Sequence, residues 1–477
     1  MRSSFVSLRR MWPYDGGNRL SAKQIDFSKG SVQKSTLAVA APMLVAQALN
    51  LLYNIVDRIY IGKIPEEGTI ALAGVGLCFP VITLVTAFAN LFGLGGAPLC
   101  SIARGQQDEA GARKIMTNAY FMLLLTGIVL TALGIALHKP ILYLLGASDA
   151  TYPYAASYLT IYLLGTIFAM TSLGLNPYIN SQGFARIGML TVLLGAMANI
   201  VLDPVFIFAL DMGVRGAAVA TILSQLLSAA WVLRFLTGRK TELRMNFRAF
   251  RPDFGCIRKI TLLGTASFVM SFTDSLVQGV CNAMLRQFGG DLYISVMTVI
   301  NSVRQIAQTP VMALSDGASP VISFNYGARA YKRVRQAIRF MTQLGFGYTL
   351  LIWGLISAFP TFFIRIFNHE TELIHAAVPA LHLYFFGFVM MAFQFAGQCV
   401  FKSLGRARMA IFFSIFRKVI IVVPLTLLLP HIFGLGVNGV FLAEPISNCV
   451  GGLLCYVTMR RTVLLQLKQK DERETAS

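Results

Sequence analysis

Long apolar runs separated by short polar segments set the pattern of this chain. Runs near or beyond the roughly 20 residues that cross a bilayer occupy residues 37–62, 69–100, 115–137, 153–181, 189–210, 216–237, 259–287, 292–323, 336–360, 376–401, 409–431 and 438–459. They predict twelve transmembrane α-helices, hence an all-α membrane protein. Several runs exceed the minimum, which predicts tilt or helix continuing past the hydrocarbon. Pro42, Pro80, Pro177, Pro204, Pro310 and Pro424 interrupt spans. Each leaves a carbonyl without its helical donor and marks a helix able to bend.

Composition sharpens this picture. Of 477 residues, 56% are hydrophobic and 13% charged, which excludes an ordinary soluble domain. The 41 Lys and Arg against 21 acidic residues would suggest nucleic acid in a soluble chain, but their placement argues otherwise. They concentrate before the first span, in the loops after even-numbered spans, and after the last. The loops between odd and even spans, with their flanks, hold only Arg58, Lys63, Lys139, Arg215, Arg286 and Arg365. The positive-inside rule therefore predicts two cytoplasmic termini in a multi-pass membrane protein. Nucleic acid is not an expected partner, whereas anionic lipid headgroups are. Residues 1–36 lack a compact apolar core with a cleavage site, so they read as a cytoplasmic arm. The seven Cys show no metal or CxxC spacing and are assigned to packing.

The chain repeats itself at an offset of 222 residues. Gly95, Pro98, Ser101 and Gly105 recur as Gly317, Pro320, Ser323 and Gly327, while Ser181, Gly183, Ala185 and Arg186 recur as Ser403, Gly405, Ala407 and Arg408. Six helices separate the copies, an even number, so the halves are parallel repeats. The expected organisation is an arm (1–36), an N-lobe (37–237), a cytoplasmic linker (238–258), a C-lobe (259–459) and a cytoplasmic tail (460–477). Two such bundles facing a central cavity suit alternating access. Gly93, Gly95 and Gly96 lack the preceding strand and following Lys of a nucleotide loop. Close helix packing is the expected role.

The candidate chemistry lies in the first half. Asp57 and Asp203 are carboxylates within apolar runs, which cost about 2.5–3.5 kcal/mol on insertion scales and persist mainly where function needs them. A rise of about 1.5 Å per residue puts Asp57, Tyr158, Asp203 and Thr221 toward the outer ends of helices 1, 4, 5 and 6. Asn50 and Tyr53 share a face with Asp57, and Asn199 shares one with Asp203. Pro204 cannot donate to the Ile200 carbonyl. Such oxygens would hold Na⁺, and two close carboxylates can equally share a proton. The plainer alternative is a hydrogen-bonded cluster that holds the lobe together.

The stretches Gln47-Ala-Leu-Asn-Leu-Leu-Tyr-Asn-Ile-Val-Asp57-Arg-Ile-Tyr-Ile-Gly62 and Ala198-Asn-Ile-Val-Leu-Asp203-Pro204-Val-Phe-Ile-Phe208, with the duplicated twelve-helix plan, resemble the multidrug and toxic compound extrusion (MATE) family. The resemblance is nearer its prokaryotic MepA-like and DinF-like branches than its plant ones. It implies efflux of amphipathic, mostly cationic compounds in exchange for H⁺ or Na⁺, with no cofactor, across the plasma membrane of a bacterial cell; a monomer is the expected functional unit. It further implies that Asp57 and Asp203 carry the ion, that Asn199 and Thr221 are auxiliary ligands, and that Tyr53, Tyr158 and Asn176 line the adjoining pocket.

The second half carries Asp274, Arg304, Arg417, Lys418 and Glu444 within spans. Pairing of Asp274 with Arg304, and of Glu444 with Arg417, is expected to offset their cost; Gln278 joins them as a further C-lobe contributor. Met270, Phe272, Met284, Met297, Met312, Met390, Met391, Phe393, Gln394 and Phe395 are candidates for an adaptable drug cavity. A lipid-linked oligosaccharide flippase of the same superfamily is the nearest rival. It should line its cavity with Lys and Arg, whereas the first lobe has acids. A membrane enzyme is the rival from another class, and no HExxH or nucleophile elbow supports one.

Overall fold

The computed structural model describes residues 24–65, 68–245, 251–432 and 434–476. The rest of the proposed arm (1–23), residues 246–250 of the linker and Ser477 lie outside the described residues. The membrane spans are α1 (Val32–Gly62), α2 (Ile70–Gly105), α3 (Glu109–Leu144), α4 (Tyr152–Leu164 and Thr166–Ser181), α5 (Ala185–Ala209) and α6 (Gly213–Thr237) in the first half. In the second half, one continuous run, Phe254–Gly327, breaks at Gly290 (φ 67°, ψ −164°) into α7 (254–289) and α8 (291–327). It is followed by α9 (Tyr331–Ala358), α10 (Thr371–Phe385 and Phe388–Ser403), α11 (Ala407–His431) and α12 (Val437–Met459). Twelve spans therefore stand among the described residues, at the places where the apolar runs put them.

Two spans are bent, α4 by 57° and α10 by 42°. The breaks fall at Gly165 and Gly387, which are themselves 222 residues apart. A Cβ on Gly165 would lie 2.5 Å from Ile222 of α6, and one on Gly387 would lie 2.4 Å from the Pro445 carbonyl of α12. Each bend thus lets a helix backbone seat closely against the last helix of its own lobe.

The lobes meet along α2, α7 and α8, near the face that carries both described chain ends, here called the terminal face. Glycine sets the approach. A Cβ on Gly105 would lie 2.0 Å from the Phe324 carbonyl, and one on Gly327 would lie 2.0 Å from that of Ile102, a reciprocal contact between α2 and α8. Gly95 abuts Gly264 of α7, and Gly317 abuts Ala40 of α1. Within the N-lobe, Gly93 meets Gly174, and Gly96 lies under the Tyr178 hydroxyl, which donates to the Phe92 carbonyl at 2.9 Å. Small residues serve helix packing here, as the sequence predicts.

The apolar cores follow the same plan. One cluster joins residues of α2 to α6 with Ile61 of α1, Leu243 and Met245 of the linker and Ile260 near the terminal end of α7, and another joins residues of α7 to α12 away from the terminal face. A third, at the terminal face, includes Val39, Ala40 and Ala185 with Leu314, Val400 and Met459. The lobes share this core at one end and keep separate cores toward the other. The linker lies on the N-lobe: Thr241 and the Leu243 N–H donate to Gln182 Oε1 at 2.6 and 3.1 Å, and Asp253 accepts from Cys256 N at the start of α7.

Candidate functional site

In the N-lobe, α5 presents Asn199 and Asp203 on one face, and Asn199 Nδ2 donates to Asp203 Oδ1 at 3.0 Å. Both are buried, Asp203 completely. Asp57 of α1 acts electrostatically on Asp203, and Tyr53 of α1 lies within the field of both carboxylates. Tyr158 of α4 lies near Asp57 and within hydrogen-bonding reach of Thr221 of α6. The structure therefore brings Asp57, Tyr53, Tyr158, Asn199, Asp203 and Thr221 together from four helices. Asp57 Oδ1, Asp203 Oδ2 and Asn199 Oδ1 are buried and accept no hydrogen bond. Acceptors left over in one cluster suit a proton or a hard cation. After Pro204 the helix widens into a π turn, Val205–Ala209, a device frequent at functional sites.

Two of the proposed pocket residues stand elsewhere or act differently. Asn176 is a correction: its Nδ2 donates to the Gly188 carbonyl at 3.2 Å, at the start of α5. Gly188 and Asp203 are separated by fifteen residues of helix, about 22 Å at 1.5 Å per residue, so Asn176 belongs to the terminal half of the lobe. The Asn50 carbonyl accepts from Asn54 Nδ2 of the same helix at 2.6 Å, a local bond that does not join Asn50 to the cluster.

The C-lobe holds a charged network. Glu444 of α12 accepts from Arg417 at 3.0 Å, as the sequence predicts, and from Lys418 Nζ at 2.9 and 3.2 Å; Arg417 also reaches Asn448 at 2.6 Å. The other pairing differs. Asp274 pairs with Lys418 Nζ at 2.9 Å instead of with Arg304. Lys418, buried in a π turn of α11, Phe416–Val422, reaches both Asp274 and Glu444 at 2.9 Å and so takes the place expected of Arg304. Arg304, Gln278, Asp274, Lys418 and Glu444 line one small space.

Between the lobes, in the half nearer the terminal face, lies a cavity of about 250 Å³. Met43, Met270, Met312 and Phe395 give it adaptable apolar walls, and Asp274, Asp316 and Lys402 are its charged residues. Phe272, by contrast, is 63% exposed away from it, while Met284, Met297 and Met391 pack into the C-lobe core. The sequence reading passed over Asp316 and Lys402. Gln47 of α1 donates to Asp316 Oδ2 of α8 at 3.3 Å, a direct bond between lobes. The signal that picks out Asp203, an acid inside an apolar run, applies equally to Asp316.

Residues 24–30 cross from one lobe to the other at the terminal face. Gln24 Nε2 donates to the Gln182 carbonyl at 3.1 Å, and the Ile25 N–H donates to that of Gly183 at 3.0 Å. Phe27 is 2% exposed and meets Phe324 edge-on. Its carbonyl accepts from Asn325 Nδ2 at 3.1 Å and from Arg333 at 2.9 Å, and Arg333 also reaches the Gly30 carbonyl at 2.9 Å.

Comparison with known proteins agrees with this architecture. Residues 42–205 and 266–428 each match the MatE family model, one match per repeat. The chain is 23% identical over 437 residues, 91% of its length and 96% of the relative's, to the multidrug export protein MepA of Staphylococcus saprophyticus subsp. saprophyticus. A solved outward-facing multidrug resistance MATE family transporter of the MOP superfamily superposes with a TM-score of 0.87 at 23% identity, over 94% of this chain and 99% of that one. A MOP superfamily transporter from Pyrococcus furiosus, described as having a binding pocket of reverse polarity, gives 0.87 at 23% with the same coverage.

Proposed function

Because the chain belongs to the MatE family, we propose that it is a secondary multidrug antiporter exporting amphipathic, mostly cationic organic compounds in exchange for H⁺. One observation carries the reading. A buried carboxylate cluster with spare acceptor oxygens occupies the N-lobe, apart from an inter-lobe cavity with methionine and phenylalanine walls and two acids against one lysine. The first suits a coupling ion and the second an organic cation. Asp57 and Asp203 carry the ion, Asn199 and Thr221 assist, and Tyr53 and Tyr158 close the pocket. Residues 37–237 and 259–459 rock as units joined by 238–258. The terminal face is cytoplasmic in a bacterial plasma membrane, and a monomer is the working unit. The described conformation, with a shared core only at that face, is then the outward-open one.

A proton entering from outside removes charge from the N-lobe cluster, which favours repacking of α1 and lowers drug affinity on the outer side. Linkage requires bound drug to lower ion affinity by the same factor. Na⁺ is the second reading, favoured by the three oxygens that lack donors. Proteoliposomes with separately imposed gradients decide. Uphill movement of tetraphenylphosphonium driven by a proton gradient without Na⁺ supports H⁺, and movement driven by Na⁺ alone reassigns the ion. If neither gradient drives transport, the antiport reading is overturned.

A further inference from the structure

Among the described residues, the C-lobe network carries three cations, Arg304, Arg417 and Lys418, against two carboxylates, Asp274 and Glu444. Glu444 is shared by Arg417 and Lys418, and Asp274 is taken by Lys418. Arg304 lies within the field of Glu444, Asp274 and the Tyr384 hydroxyl, yet none of the described carboxylates comes within ion-pair distance of it. An unmatched cation inside a membrane-spanning bundle is costly and calls for a counter-charge.

A second observation shows where that charge would sit. Arg304 Nε and Asn301 Nδ2 are both buried and donate to no partner. They are three residues apart on α8, one turn of the same helix face. Both residues line a single small space of about 10 Å³ together with Gln278 and Tyr384. That space is the size of one water molecule or one monatomic ion and too small for an organic carboxylate. Two donors without acceptors, beside a surplus positive charge, select an anion over a neutral guest.

We propose that Arg304 and Asn301 hold one halide ion, chloride under cellular conditions, as a structural counter-ion of the C-lobe. The site adjoins the drug cavity but is distinct from it. Asp274 lines both spaces, and its pairing with Lys418 stands between them.

The test uses the whole purified protein and needs no transport. After exhaustive exchange into gluconate, thermal melting is followed as chloride replaces gluconate at constant ionic strength. Chloride is expected to raise the melting temperature by about 3 °C. Arg304→Gln is expected to abolish the shift. Asn301→Ala, which removes a donor and leaves every charge in place, is expected to reduce it by half or more and keeps the test open if Arg304→Gln does not fold. Crystals grown in bromide should show an anomalous peak between Arg304 Nε and Asn301 Nδ2. Equal melting in chloride and gluconate, a shift unchanged in Asn301→Ala, or no bromide at that place would overturn the proposal and assign the space to water.

Discussion

At the scale of single residues, burial and pairing decide which charges matter. Asp203 and Asn199 each leave one of two side-chain polar atoms without a partner, so replacing one carboxylate oxygen by an amide removes ion affinity and little packing. Asp57→Asn and Asp203→Asn are each expected to abolish uphill efflux while melting within about 1 kcal/mol of the parent; retained accumulation against a gradient in both would refute their role. Lys418 behaves oppositely, since it is 4% exposed and serves two carboxylates. Lys418→Met should cost about 3–5 kcal/mol because it strands buried charge, whereas Asp274→Asn, at a side chain 41% exposed, should cost much less; thermal melting of the two variants compares them. Asp57 and Asp203 were legible in the sequence as acids inside apolar runs. The Asp274–Lys418 pair was not, because an apolar run shows that a charge lies within a span but not which of Arg304, Arg417 and Lys418 reaches Asp274 in three dimensions.

At the scale of elements, run length placed all twelve spans, since bilayer thickness leaves little freedom in where an apolar helix begins and ends. The bends were hidden. An uninterrupted apolar run looks the same whether its helix is straight or broken, and neither α4 nor α10 breaks at a proline. What betrays the bends is the repeat itself, which carries Gly165 and Gly387 at the shared offset. Gly165→Ala would set a Cβ 2.5 Å from the Ile222 side chain and is expected to destabilise by about 1–3 kcal/mol. Ile222→Ala in the same chain should recover part of that loss, because the clash is with a removable side chain and not with backbone. Additive losses in the double variant would place the cost in the bend itself.

At the scale of the whole molecule, the scaffold is duplicated and the chemistry is not. At the same offset, Asp57 and Asp203 face Gly279 and Leu425, while Arg304 and Glu444 face Ile82 and Ile222. One lobe has kept an acidic cluster and the other a charged network, a division of labour that hydropathy and glycine positions cannot reveal because they record packing alone. The arm was equally opaque: polar, basic residues before the first span read as solvated chain, yet residues 24–30 bind both lobes. They tie Gly183 of the N-lobe loop to Asn325 and Arg333 of the C-lobe, so opening the terminal face requires those bonds to break or the arm to leave one lobe. Charge-assisted hydrogen bonds contribute about 1.5–3 kcal/mol each, and two of them shift a two-state equilibrium by more than tenfold. Arg333→Ala together with Phe27→Ala is therefore expected to populate a state open at the terminal face. Spin labels on unnatural amino acids at Arg186 and Arg408, exposed equivalents on the two lobes, would report it as a new, longer distance. An unchanged distance distribution would mean that the reciprocal glycine contacts between α2 and α8 hold the face shut without help from the arm.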